Sequence, residues 1–197
     1  VSEVVTRVQE GHNVHQHLDL IAGLPYEDYD SFGKSFCDVY QLRPQQLQLG
    51  FLKVLEGSYM NEVKDSYDIQ FSSYPPYEVL STRWLPYEDL KRLKAVEEMV
   101  EVYYNSSQFS NTLRLLEKEF DTAFALYDTL AGFYEEKGYD KVSHSRIARF
   151  EILYEFIKTI TKEENLALYK ELLTYDLYLR ENVKKRPDFA GDYTLQK

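Results

Sequence analysis

Two periodicities divide the chain. From His15 the pattern has a period of two, with His15, His17, Asp19, Ile21 and Gly23 on one face and Gln16, Leu18, Leu20 and Ala22 on the other. Leu47, Leu49 and Phe51 alternate in the same way with Gln48, Gly50 and Leu52. Between the two runs, Asp28 or Asp30 can cap a helix whose Phe32, Phe36, Val39 and Tyr40 keep helical spacing, and Arg43-Pro44 stops it. Strand, helix and strand in this order predict a parallel βαβ unit. In a barrel of parallel strands the outer face packs on helices and the inner face lines the core or a site. The Leu18 and Leu20 face is therefore expected outward, Asp19 inward, and Gly50 leaves room for a ligand. One such unit cannot close a barrel, so the chain is expected to be a fragment of a larger protein whose catalytic residues lie upstream.

The remaining pattern is mostly helical. Residues 2–10 have the polarity of a helix end, stopped by Gly11 and Asn13. Residues 55–84 read as an irregular connection with Gly57-Ser58, Ser72-Ser73 and Tyr74-Pro-Pro-Tyr77, and with short extended pieces at 69–72 and 79–82. Pro86 opens a helix striped by Leu90, Leu93, Val96, Val100 and Tyr103, broken by Asn105-Ser-Ser107. A second helix is predicted from about 110 to Gly138 through Leu113, Leu116, Phe120, Phe124, Tyr127 and Leu130. A third runs from Ser143 or Ser145 to Thr159 with Ile147, Phe150, Tyr154 and Ile157. The fourth starts at the capping box Thr161-Lys-Glu-Glu164 and continues to about Val183. The expected organisation is an α+β, predominantly helical chain: the end of a barrel over 1–57, a connecting segment over 58–84, and a domain resembling a four-helix bundle over 85–197.

Composition narrows the function classes. At 44% hydrophobic residues over 197 positions the chain can bury a substantial core, and no run approaches the roughly 20 apolar residues of a membrane span. A cytoplasmic location is the default expectation. The net charge of −10 argues against a nucleic-acid face, which needs clustered Lys and Arg. Lys184-Lys185-Arg186 reads instead as a solvated helix end, where cations suit the dipole. A single cysteine, Cys37, allows no internal disulfide and no Cys-ligated cluster, and its place beside Phe36 reads as a small buried hydrophobe.

The run His17-Leu-Asp-Leu-Ile-Ala-Gly-Leu-Pro-Tyr-Glu27 and the later Leu47-Gln-Leu-Gly-Phe-Leu-Lys53 resemble radical S-adenosylmethionine (SAM) enzymes at the fifth and sixth strands of their partial (β/α) barrel. From His17 through Phe109, including Tyr74-Pro-Pro-Tyr-Glu-Val-Leu80 and Glu97-Glu-Met-Val-Glu-Val-Tyr-Tyr-Asn-Ser106, the chain is similar to cobalamin-binding radical SAM proteins that end in a helical domain of unknown function. Those proteins carry labels such as iron–sulfur oxidoreductase or magnesium-protoporphyrin IX monomethyl ester oxidative cyclase. The resemblance implies an upstream cobalamin domain and a [4Fe–4S] cluster on a Cys-x3-Cys-x2-Cys loop; in the family the reduced cluster cleaves SAM to a 5′-deoxyadenosyl radical. Neither part lies in this chain, so no cofactor is expected to be retained by it. Carried over residue by residue, Asp19 offers a carboxylate to SAM, Ile21 and Gly23 border its adenosine, and Leu52 adds an apolar contact. Tyr26 departs from the small residue that usually follows Gly-Leu-Pro. The expected partners are the rest of the polypeptide and a small-molecule substrate, with neither nucleic acid nor membrane.

Several features have plainer readings. His15, His17 and Asp19 at alternate positions point three metal-capable groups along one face, but with no convergent group elsewhere they read as polar lining. The 18 tyrosines fall mostly at helical core spacing, residues 74–77 being an exception that can form a rigid lip or a partner surface. Glu97, Glu98 and Glu101 read as a solvated acidic face. The alternative function is a non-catalytic helical interaction module. An exposed strand edge is expected either to pair with a second copy as a twofold dimer or to be covered by residues 1–11.

Overall fold

The computed structural model describes residues 2–11, 13–179 and 187–190, and the chain in it is predominantly helical with a few short strands. The end of the last helix near Val183 and the Lys184-Lys185-Arg186 cluster lie outside the described residues. The described chain forms two compact units, residues 1–105 and 106–197.

In the first unit, α1 (Ser2–Gln9) precedes β1 (His17–Ala22), α2 (Tyr29–Gln41) and β2 (Gln46–Phe51). The strands pair in parallel, in a register running from His17 opposite Gln46 to Ala22 opposite Phe51. Asp28 caps α2 reciprocally: its carboxylate accepts from the Ser31 amide at 2.8 Å, and the Ser31 hydroxyl oxygen accepts from the Asp28 amide at 2.8 Å. One sheet face is covered. Leu47, Leu49, Phe51 and Ala22 are buried, as are Phe32, Phe36 and Tyr40 on α2. On the other face His17, Asp19, Ile21 and Gln48 are exposed. The expected facing of the strands is thus the observed one.

Residues 52–86 hold more structure than an irregular link. A helical turn α3 (Tyr59–Val63) is capped by Ser58, and β3 (Gln70–Phe71) pairs antiparallel with β4 (Val79–Ser81). The Val79 amide donates to the Leu52 carbonyl at 2.8 Å and the Val54 amide to the Tyr77 carbonyl at 2.9 Å, which ties this hairpin to the end of β2. Next comes α4 (Tyr87–Met99), continued by a π-helical segment, Val100–Asn105. Its predicted stripe, Leu90, Leu93, Val96, Val100 and Tyr103, is buried throughout. Tyr104 rings against Tyr40 at 5.0 Å between centroids and donates to the Pro44 carbonyl at 2.5 Å. This helix therefore belongs with the strands, where the sequence pattern grouped it with the later helices: α4 packs against β4 and its π-helical end against β2.

The second unit contains α5 (Ser110–Leu116), α6 (Ala123–Lys137), α7 (Arg146–Ile160) and α8 (Leu166–Tyr178), with α8 packed on α5 and α7. The single helix expected from 110 to 138 is two. A 3-10 turn at Glu117–Glu119 runs into extended Phe120, and the Thr122 hydroxyl then accepts from the Ala125 amide at 3.1 Å, capping a new helix. Gly138, at φ 70°, ends α6 in the left-handed conformation. Ser145 caps α7 as expected. Thr161 does not cap α8. Asn165 stands before that helix, and the Thr161 hydroxyl donates instead to Glu119 at 3.4 Å. Cys37 is half-buried rather than buried.

The first turn of α5 has no side-chain cap of its own. Asp176 of α8, only 2% exposed, supplies the acceptors. Its carboxylate accepts from the Asn111 amide at 3.2 Å and side chain at 2.7 Å, and from the Thr112 amide at 2.9 Å and hydroxyl at 2.8 Å. A negative charge at a helix N-terminus answers the unpaired amides there and the helix dipole at once. Asp176→Ala strands these donors in the interior, and a loss of about 3 kcal/mol is expected in urea unfolding of the second unit. A loss below about 1 kcal/mol contradicts this account of the contact.

Candidate functional site

The open face of the two strands forms the floor of a cleft of about 550 Å³. Asp19 and Ile21 come from β1, Gln48 and Gly50 from β2, and Leu52 and Lys53 from the chain just beyond it. Leu20, Leu49 and Phe51 of the strands also reach it, and Glu78, Lys94 and Glu97 form its wall. The sequence pattern brings the first group together because residues of one parity on paired parallel strands share a face. Gly50 contributes no side chain, and a methyl built there meets nothing nearer than the Leu20 carbonyl at 3.6 Å. The floor is therefore open by composition and not by strain.

Two edges bound this floor differently. Gln16 and Ala22 direct their carbonyls to the amides of Gln46 and Leu52, so the amides and carbonyls of His17, Asp19 and Ile21 point away from β2. Among the described residues no strand pairs there, and Ser2–Gln9 is a helix that adds no strand. The far edge of β2 is occupied. The Asn105 carboxamide accepts from the Leu47 amide at 2.9 Å and donates to the Leu47 carbonyl at 3.0 Å, and Glu101 fixes it by accepting from Asn105 Nδ2 at 2.8 Å. Past the end of β2 the Lys53 and Glu78 backbones bridge on the other side, where the Leu52 amide has already bonded Ala22 and its carbonyl accepts from Val79.

The α4 wall is charged. Lys94 pairs with Glu78 and lies 5.1 Å from the Phe51 ring centre. Glu97 is half-buried, and burial, then the nearby Glu78 carboxylate, raise its pKa, with Lys94 opposing and Glu101 and Glu98 adding to the rise. Periodicity alone grouped Glu97 with the exposed Glu98 and Glu101. A signal was present: Lys94 and Glu97, three apart, share a helix side, but nothing in the sequence says that this side meets a strand face.

Of the expected SAM-site residues, Asp19, Ile21 and Leu52 line the cleft and Gly23 does not. Gly23 has φ 89°, and a Cβ there falls 2.7 Å from Val79 Cγ1, so its role is backbone conformation and close approach to β4. Beyond it, Tyr26 holds φ 69° and is 73% exposed. Its ring packs 4.6 Å from Trp84 and 5.8 Å from Tyr67, so the departure from a small residue introduces an aromatic cluster with Trp84 and Tyr67. His15 and His17 meet edge to face at 4.9 Å. Among the described residues no three His, Cys, Asp or Glu side chains are placed to hold a metal, and no helix is long and apolar enough to cross a membrane.

Residues 65–197 match the family described as "Protein of unknown function (DUF4080)". The chain belongs to that family. No curated protein matches it. The DUF4080 region begins before β3, so it includes Glu78, Lys94 and Glu97 of the cleft wall, whereas the floor residues precede it.

Two outcomes are expected. Gly23→Ala forces a methyl against Val79 in a left-handed backbone and costs roughly 2 kcal/mol or more, while Gly50→Ala changes stability by less than about 0.5 kcal/mol in the same unfolding assay. Equal costs would discard the distinction between the two glycines. The second concerns Tyr67, whose phenol is pushed up to about 12, first by its hydrogen bond with Tyr26 and then by that residue's electrostatic influence. Tyr26→Phe removes both influences, so in an ultraviolet titration one tyrosine should ionise at lower pH than in the parent; an unchanged curve refutes the assignment.

Proposed function

We propose that this chain is the C-terminal part of a cobalamin-dependent radical SAM iron–sulfur oxidoreductase, supplying the last strands of the barrel, part of the SAM site and a helical cap. The observation that carries the reading is the parallel pair itself: one face covered by helices, the opposite face open as a cleft, and Asp19 on that floor. The DUF4080 match supports it, because that domain is found in the C-terminal region of cobalamin-binding radical SAM proteins. The free edge of β1 suits pairing with a further strand of the same polypeptide.

The fit of the implied cofactors to this chain is uneven. One cysteine cannot ligate a [4Fe–4S] cluster, so no step is assigned to a cluster or to cobalamin through these residues. The cleft fits part of SAM: Asp19 offers an acceptor carboxylate, and Ile21 and Leu52 give apolar surface across the small Gly50. SAM bound there brings a cleavable sulfonium; the chain's residues bind, orient and shield it. Gly23 contributes by setting the loop after β1.

The deciding test is translation of the coding sequence upstream of Val1. A Cys-x3-Cys-x2-Cys motif within roughly 200 residues, a distance set by domain size, is expected, and its absence leaves the interaction-module reading in place. In the longer protein, Asp19→Ala should weaken SAM binding about tenfold, the scale of one charged hydrogen bond, with the melting temperature unchanged, since Asp19 is exposed and makes no packing contribution. Equal affinity in mutant and parent, measured by equilibrium dialysis, removes Asp19 from the site.

A further inference from the structure

The cleft wall supplied by the DUF4080 region has no part in the reading above. Its groups are unevenly satisfied. Lys94 is engaged by Glu78, and Asn105 donates to Glu101. Glu97 faces the cavity half-buried, near Glu78, Glu98 and Glu101 on its own side, with Lys94 the nearby cation. Across the floor stand the exposed carboxylate of Asp19, the Gln48 amide and the exposed ammonium of Lys53. We propose that Glu97 is the anchoring carboxylate of a small-ligand subsite in this cleft, and that the group it takes is a cationic amine.

Three observations lead there. The cavity has room for a small molecule. Its floor is open at Gly50, where an added methyl would contact only the Leu20 carbonyl within 4 Å. The wall then sets the sign of the ligand. A carboxylate partly removed from water and flanked by other carboxylates is stabilised most by a cation brought beside it, because that cation opposes both causes of its raised pKa. An anionic group entering the same space meets Glu97, Glu78 and Asp19; of the two lysines in the lining Lys94 is held by Glu78, and Lys53 is one ammonium against three carboxylates. The sign of the pH dependence follows: the amine binds the ionised carboxylate, so affinity is full above the raised pKa of Glu97 and falls as acid protonates it.

The inference rests on the strand face being a ligand site, not on SAM or a cluster, and its test uses neither. Carboxyl-labelled protein is titrated with 1,4-diaminobutane and, separately, with glutarate, a dianion of similar length. The diamine should shift the Glu97 carboxyl resonance at lower concentration than glutarate does, and Glu97→Gln, which keeps shape and removes charge, should weaken diamine binding at least fivefold. Glu88→Gln, on the exposed first turn of α4 outside the cleft, should leave it within twofold. Parent, Glu97→Gln and Glu88→Gln are first shown by thermal unfolding to be equally folded. No diamine binding, equal binding of glutarate, or unchanged affinity in Glu97→Gln overturns the proposal. An upstream sequence without the cysteine motif would end the radical SAM reading and leave this result standing, and failure of the titration would leave the upstream reading untouched.

Discussion

The side chain of Asn105 does for β2 what a neighbouring strand would otherwise do. Its oxygen takes the Leu47 amide proton and its nitrogen returns a bond to the Leu47 carbonyl, with Glu101 holding the carboxamide in place. Buried backbone groups must find partners, and a strand edge left without them is a template for foreign pairing. Filling this edge with a side chain lets a helix lie where a strand would be expected. The rest of the first unit depends on that substitution, because α4 and its π-helical end can then bury Leu93, Val96, Val100 and Tyr103 beside the sheet and bring Lys94 and Glu97 to the cleft.

The two edges of the sheet consequently differ in kind. Beyond β2 the chain supplies its own partner at Leu47, through the Asn105 carboxamide. Beyond β1 the odd-numbered residues turn amides and carbonyls outward, an edge on which the sheet can grow. The second unit solves a related problem with a charge instead of an amide. Asp176 meets the unpaired first-turn amides of α5, and four hydrogen bonds converge on one buried carboxylate to join α8 to α5.

The cleft combines residues of different origin. Its floor comes from alternating positions of two strands, its wall from a helix some forty residues later that carries part of the DUF4080 match. Ile21, Gly50 and Leu52 on the floor give a ligand shape contact, while Asp19 and Lys53 on the floor and Glu78, Lys94 and Glu97 on the wall give charge selection. The aromatic group of Tyr26, Tyr67 and Trp84 lies in the loops after the strands, the end at which parallel α/β sheets usually bind ligands.

The sequence by itself determined the strands, their facing, the capped helix between them and the apolar stripe of α4, since each is a local periodicity or a local cap. It also placed Asp19, Ile21 and Leu52 on one side of the strands, because parity along paired strands is an arithmetic property of the chain. Local signals failed where two of them competed: Thr122 cut a continuous apolar pattern into α5 and α6, while Thr161, with a sound capping motif, was drawn to Glu119. Only tertiary structure decided what lies opposite what. Gly23 left the cleft for a contact with Val79, α4 joined the strands instead of the later helices, and Glu97 moved from a presumed solvated face into the cavity. Each of these depends on a partner tens of residues away, and periodicity records which side of an element is apolar but not which distant surface will cover it.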